Sequence, residues 1–119
     1  MQKINLSEAF HRFDDFWSPK IIGEVNDFHV KLVKVKGDFI WHQHKSEDEL
    51  FLVVKGQLTI QFRDSELVLE EGELAIIPRG VEHRPVADRE THLIIFEPDT
   101  TRNTGNVIDE RTVENPEHL

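Results

Sequence analysis

The stretch FIWHQHKSEDELFLVVKG, Phe39 to Gly56, decides how the chain is read. Two imidazoles stand one residue apart, three acids follow, and an apolar run closes on a glycine. In ELFLVVK both parities are apolar, Phe51 and Val53 on one face, Leu50, Leu52 and Val54 on the other. Such a strand is covered on both sides. Its inner face belongs to a core, and its outer face needs a second layer. An N-terminal helix, the C-terminal tail or another subunit can supply that layer, and a two-fold homodimer is expected. If FIWH is extended, residues two apart share a side. His42 and His44 then project together with Ile40, while Trp41 and Gln43 face the other way.

Working outward, the same β-type spacing recurs. FHVKLVKV, QLTIQF, ELVLE, ELAIIP and HLIIFEP are short runs separated by glycine and turn residues, from Ile21 to Glu97. Even spacing of this kind fits an antiparallel sandwich or barrel and not alternating βαβ units. In QLTIQF, Leu58, Ile60 and Phe62 alternate with Gln57, Thr59 and Gln61, so one face meets solvent. Upstream, Leu6, Phe10 and Phe13 have helical spacing, with Ser7 as a cap and Glu8 in the first turn, and the helix ends before Pro19. Downstream of Pro98 the chain is polar and turn-rich, with Val107, Ile108 and Val113 as candidate anchors. Three segments follow: a helical lead over 1–20, a barrel over 21–97 and a polar extension over 98–119.

The 119 residues suit one domain. A net charge of −9 opposes binding to nucleic acid or to an anionic membrane surface, both of which need a surplus of Lys and Arg. With no cysteine there is no disulfide, thiolate chemistry or Cys-based zinc site. No apolar run reaches transmembrane length and the first residues lack the apolar core of a secretory signal, so a cytoplasmic protein is expected.

Adjacent imidazoles repel when protonated. When neutral they are good ligands for zinc, iron, nickel, copper or manganese. The pair alone also fits ordinary polar histidines at a strand end. Further donors lie nearby: Glu47, Asp48 and Glu49 after the pair, and His83 in GELAIIPRGVEHRP, where Pro78 and Gly80 form a turn. Strand parity does not choose among the three acids, because the Lys45–Glu47 turn resets it.

At these residues the sequence resembles the cupin family. Gly37, four residues, His42-Gln43-His44, four residues, Glu49, six residues and Gly56 follow the first cupin motif, with its first gap one residue short. Gly72, five residues, Pro78-Arg79-Gly80, two residues, His83, three residues and Ala87 follow the second, with alanine in place of its closing asparagine. The likeness spans roughly residues 21 to 97. It implies an all-β jelly-roll barrel (a double-stranded β-helix) holding one divalent first-row metal (Zn, Fe, Mn or Ni) on His42, His44, Glu49 and His83. It selects Glu49 over Glu47 and Asp48, which are then solvated acids. Ile40, Phe51 and Val53 would line the pocket.

Three histidines and a carboxylate around a six-coordinate ion leave two positions for a chelating small molecule. The expected function is therefore a metal-dependent isomerase or oxygenase acting on a sugar or a hydroxy or keto acid. Four-coordinate zinc would instead give a closed, structural site in a small-ligand-binding or sensing module. For an anionic substrate, Lys31, Lys34 and Lys36 are the candidate cations, with Arg63 and Arg79 exposed near turns. His11, His29 and His118 read as structural histidines. His92 shares a strand face with Ile94 and Phe96 and is a candidate to approach the pocket. No residue stands out as a general base.

Overall fold

The computed structural model describes all residues, 1–119. After a short helix α1 (Leu6–Phe10) come eight strands: β1 (Lys20–Val25), β2 (Phe28–Asp38), β3 (Glu49–Lys55), β4 (Leu58–Gln61), β5 (Glu66–Leu69), β6 (Leu74–Ile77), β7 (Arg84–Pro98) and β8 (Glu117–His118). The sheet order is β5-β4-β7-β2-β1-β8, and β3 pairs with both β6 and β7. One edge of β7 lies along β2, from Phe28↔Pro98 to Asp38↔Val86. Its other edge is divided, pairing with β4 near Val86 and with β3 from His92 to Phe96. Serving two sheets from one strand curls the structure into a jelly roll. No helix is long and apolar enough to cross a membrane.

The inner faces follow the period of two. Val33 and Val35 of β2, Phe51 and Val53 of β3, Leu58 and Ile60 of β4, and Leu93 and Ile95 of β7 form one buried cluster. Outside it, Ala9, Phe10 and Phe13 cover Leu32, with Val54 and Ile94 at the margin. The N-terminal helix is therefore part of the second layer that β3 requires. Its cap is Asn5, not Ser7: the Asn5 side chain accepts from the Glu8 amide at 2.9 Å. Phe13 lies beyond the helix but packs on Phe10. The helix covers only part of the outer face. Leu74 and Ile76 of β6 stay 53% and 60% exposed beside Leu50 and Leu52.

Two segments differ from their sequence reading. Residues 39–44 form no strand but a single bridge, with His42 and His83 exchanging backbone hydrogen bonds of 3.0 and 2.9 Å. The ladder stops there because Pro85, whose carbonyl accepts from the Phe39 amide at 2.9 Å, has no N–H to return. Polar groups bond the C-terminal extension to itself and to the barrel; of its aliphatic residues Val107 and Val113 are half-buried and Ile108 is not an anchor. Ile108 is 78% exposed, whereas Thr101 and Thr104 are buried. Asn103 donates to the Arg111 carbonyl and accepts from the Val113 amide, both at 2.8 Å. The Thr104 hydroxyl bonds the Val107 carbonyl and the Thr112 hydroxyl. The chain then ends as β8, parallel to β1.

Candidate metal centre

Gly80, at φ 81°, turns the chain after β6, and its amide donates to the His44 carbonyl at 2.8 Å. That bond and the His42–His83 bridge fasten the two motif segments to each other. Glu49 opens β3, facing inward with Phe51 and Val53. The result brings His42, His44, Glu49 and His83 together, each no more than 4% exposed, with one donor atom from each lying within 4.8 Å of all the others. His44 Nε2 and His83 Nε2 lie 3.3 and 3.4 Å from Glu49 Oε1. Adjacent ligands around a first-row cation at ~2.1 Å stand ~3.0–3.4 Å apart, so these spacings suit a shared ion.

The hydrogen bonding points the same way. His42 Nδ1 contacts the Ile40 carbonyl and His83 Nδ1 the Val81 carbonyl, both at 2.9 Å. A carbonyl only accepts, so each ring carries its proton on Nδ1 and turns a bare Nε2 inward. His44 Nε2, His83 Nε2 and Glu49 Oε1 are buried without any hydrogen-bond partner. Orphaned polar atoms are costly in an apolar interior; a cation satisfies these three at once and leaves His44 Nδ1 unpaired. Burial, then the neighbouring His83, lowers the His42 pKa to about 4, so the ring is neutral and free to coordinate at physiological pH. The donor set fits a borderline divalent metal.

Phe51 borders a cavity of about 30 Å³ beside the cluster, together with Trp17, Phe39, Glu49, Glu97 and Asn103. That volume holds a water or two. Val53 is fully buried in the core behind it, and Ile40 contributes its carbonyl to His42 and does not line the cavity. Glu47 accepts from the Thr100 hydroxyl, and Asp48 pairs with Arg79, so both acids stay outside the cluster. His92 turns away from the pocket: its ring stacks on Phe10 at 4.5 Å and bonds Glu90. Of the lysines, Lys36 is exposed, Lys34 bonds the Phe13 carbonyl beneath the helix, and Lys31 is buried inside the barrel.

Sequence reasoning missed Glu97, only 1% exposed, and Asn103. The parity of HLIIFEP groups Glu97 with Leu93 and Ile95, but strand pairing decides which face is inner. The face with His92, Ile94 and Phe96 is the outer one, so Leu93, Ile95 and Glu97 point inward. Burial, then the charge of Glu49, pushes the Glu97 carboxyl well above its ordinary range, against the pull of Lys31. Asn103 had no sequence signal, because the path of the extension across the barrel mouth depends on side-chain bonds.

A second, open cleft of about 340 Å³ lies on the other side of His44, walled by Lys31, Lys45, Glu47, Arg102 and Asn106. Asn106 ties this wall to the histidine pair: its amide donates to the Gln43 carbonyl at 3.0 Å, and its side-chain oxygen accepts from the Gln43 amide at 2.9 Å.

The cupin domain family matches residues 29–97. A cupin-2 domain containing protein of Shewanella frigidimarina NCIMB 400 superposes with a TM-score of 0.79 at 48% identity, covering 80% of this chain and 93% of that one. The uncharacterized protein YdbB of Bacillus subtilis (strain 168) is 45% identical over 64 residues, 53% of this chain and 57% of its own. A 3-hydroxyanthranilate 3,4-dioxygenase 2 of Aspergillus fumigatus is 32% identical over 82 residues, 62% of this chain and 42% of its own. The chain thus spans about half the length of the curated relatives it matches. With the motif histidines of both segments meeting inside a jelly roll, and a match running over most of the barrel, this chain belongs to the cupin superfamily as a small cupin-2 protein.

Proposed function

We propose that this protein is a metal-dependent cupin enzyme acting on a small oxygenated metabolite, with His42, His44, Glu49 and His83 holding one divalent first-row ion. The observation that carries the reading is the convergence of four buried donors, three of them orphaned, on one point. Such an ion supplies a Lewis acid with open positions. The chain's own groups supply a small aromatic-walled cavity and a buried carboxyl, Glu97, at its edge. Oxygenation is the favoured reaction class, supported by the partial likeness to a dioxygenase; isomerisation uses the same polarising centre. A ligand-binding module with a structural zinc is the second reading, favoured by four donors that alone complete a tetrahedral shell.

Metal analysis with turnover assays separates these. Iron or manganese, with oxygen consumption on small hydroxy or keto acids, supports the enzyme. Four-coordinate zinc with no turnover supports the module, and a protein that neither carries nor takes up a divalent ion defeats both. A cytoplasmic homodimer is part of the proposal. The apolar strip of Leu50, Leu52, Leu74 and Ile76, uncovered by the helix, supports the dimer.

A further inference from the structure

Lys31 has no part in holding the metal, yet it is 1% exposed on the inner face of β2. Its Nζ lies 2.9 Å from Glu97 Oε1, and both side chains are 2% exposed. The register places Lys31 opposite Ile95, so Glu97 is its diagonal neighbour two residues along β7. A buried ion pair is a poor stabilising device, because removing each ion from water costs several kcal/mol and apolar residues of like volume serve a core as well. This pair is also incompletely bonded. Glu97 Oε1 is the one side-chain partner of an ammonium with three donors, and Glu97 Oε2 has no partner at all.

The two ends of the pair face different spaces. Glu97 lines the small cavity beside Glu49, whereas Lys31 lines the open 340 Å³ cleft that also reaches His44. The ion pair therefore stands between the open cleft beside His44 and the small cavity beside Glu49. A single ammonium on the cleft wall, with hydrogen-bond donors left free by Glu97, matches a single carboxylate. The protein's net charge of −9 weighs against a multiply charged anion.

We infer that the Lys31 ammonium anchors the carboxylate of a small monocarboxylic acid, such as a 2-hydroxy or 2-keto acid, which enters through the polar cleft and reaches toward His44. The inference rests on the metal-enzyme reading and narrows its substrate class to monoanions, away from neutral sugars. The cleft, at the lower end of the ~300–1,000 Å³ typical of ligand pockets, suits an acid of a few carbons.

The test is calorimetric titration of the zinc-loaded full chain with glycolate and with its neutral isostere glycolamide, zinc serving as a redox-inert probe. Glycolate is expected to bind at least tenfold more tightly. The double variant Lys31→Met with Glu97→Gln removes the pair without stranding a charge. It should abolish the preference while zinc content stays at wild-type level. Lys31→Arg, which keeps the charge but moves it, should change glycolate affinity more than glycolamide affinity, and it provides the answer if the double variant does not fold. Equal binding, no binding of either probe, or a preference that survives the variants overturns the inference and leaves the metal reading intact. A wild-type chain that takes up no zinc overturns both.

Discussion

Replacing Gly105 by alanine tests whether the C-terminal extension holds the histidine pair in place. Gly105 has φ +57° and packs directly on the chain between the two ligands: an added Cβ would lie 2.1 Å from the Gln43 carbonyl oxygen and 3.2 Å from His42 Cδ2. The left-handed conformation costs alanine about 1–2 kcal/mol. Relieving the clash requires the loop and Gln43 to separate by about 1 Å, given that non-bonded carbon and oxygen approach to ~3.3 Å. That movement breaks both hydrogen bonds between Gln43 and Asn106, at about 1 kcal/mol each. The sum is about 3–4 kcal/mol, a factor of several hundred in loop docking. Because Gln43 lies between His42 and His44, part of this loss passes to metal affinity, and a 10–100-fold weakening is expected. Chelator competition against a fluorescent zinc indicator measures it. Gly72→Ala is the control: φ there is +83° with nothing within 4 Å of the added carbon, so it carries the backbone strain alone. If Gly105→Ala binds zinc as tightly as Gly72→Ala does, the loop does not position the ligands and the reasoning fails.

Three further outcomes follow from the same geometry. His83→Ala should lose bound metal and lower the melting temperature of the metal-loaded protein together, because binding stabilises only the folded state; a variant with wild-type metal content removes His83 from the ligand set. In the metal-free protein, His42 has a folded pKa of about 4 against an ordinary 6.5. The unfolded chain then binds the proton first, so the His42 contribution, about 3 kcal/mol, is present above pH 6.5 and lost as pH falls toward 4. Glu97, raised by burial, titrates with the opposite sign, so the measurement belongs in the double variant Lys31→Met with Glu97→Gln; denaturant melts in that variant showing flat stability from pH 6.5 to 4 would contradict the assignment. Light scattering should give a dimer at micromolar concentration, and Ile76→Glu, on the exposed outer strip, should give a folded monomer with a lower melting temperature, since association stabilises the folded state; a monomeric wild type ends the dimer proposal.

Local pattern alone determined much of this protein. The period of two in QLTIQF and the two-sided apolar run ELFLVVK announced a β-fold with a second layer, and the resemblance of the two motifs to those of cupins, not parity, picked out His42, His44, Glu49 and His83 as candidate ligands. These features are legible because side-chain alternation and motif spacing are properties of a few consecutive residues. Local pattern misplaced the FIWH strand, since the missing donor that interrupts its ladder, that of Pro85, lies more than forty residues away. Parity likewise could not say which face of HLIIFEP was the inner one. That depended on its pairing with β2 and β3, and the answer turned His92 outward onto Phe10 and Glu97 inward onto Lys31. Nor could composition reveal that a polar tail closes over Gln43, because its hold comes from hydrogen bonds between residues some sixty positions apart. The sequence pointed to the strands and to the four candidate donors; only tertiary pairing decided what surrounds the cluster, because charge, burial and access are properties of neighbours in space.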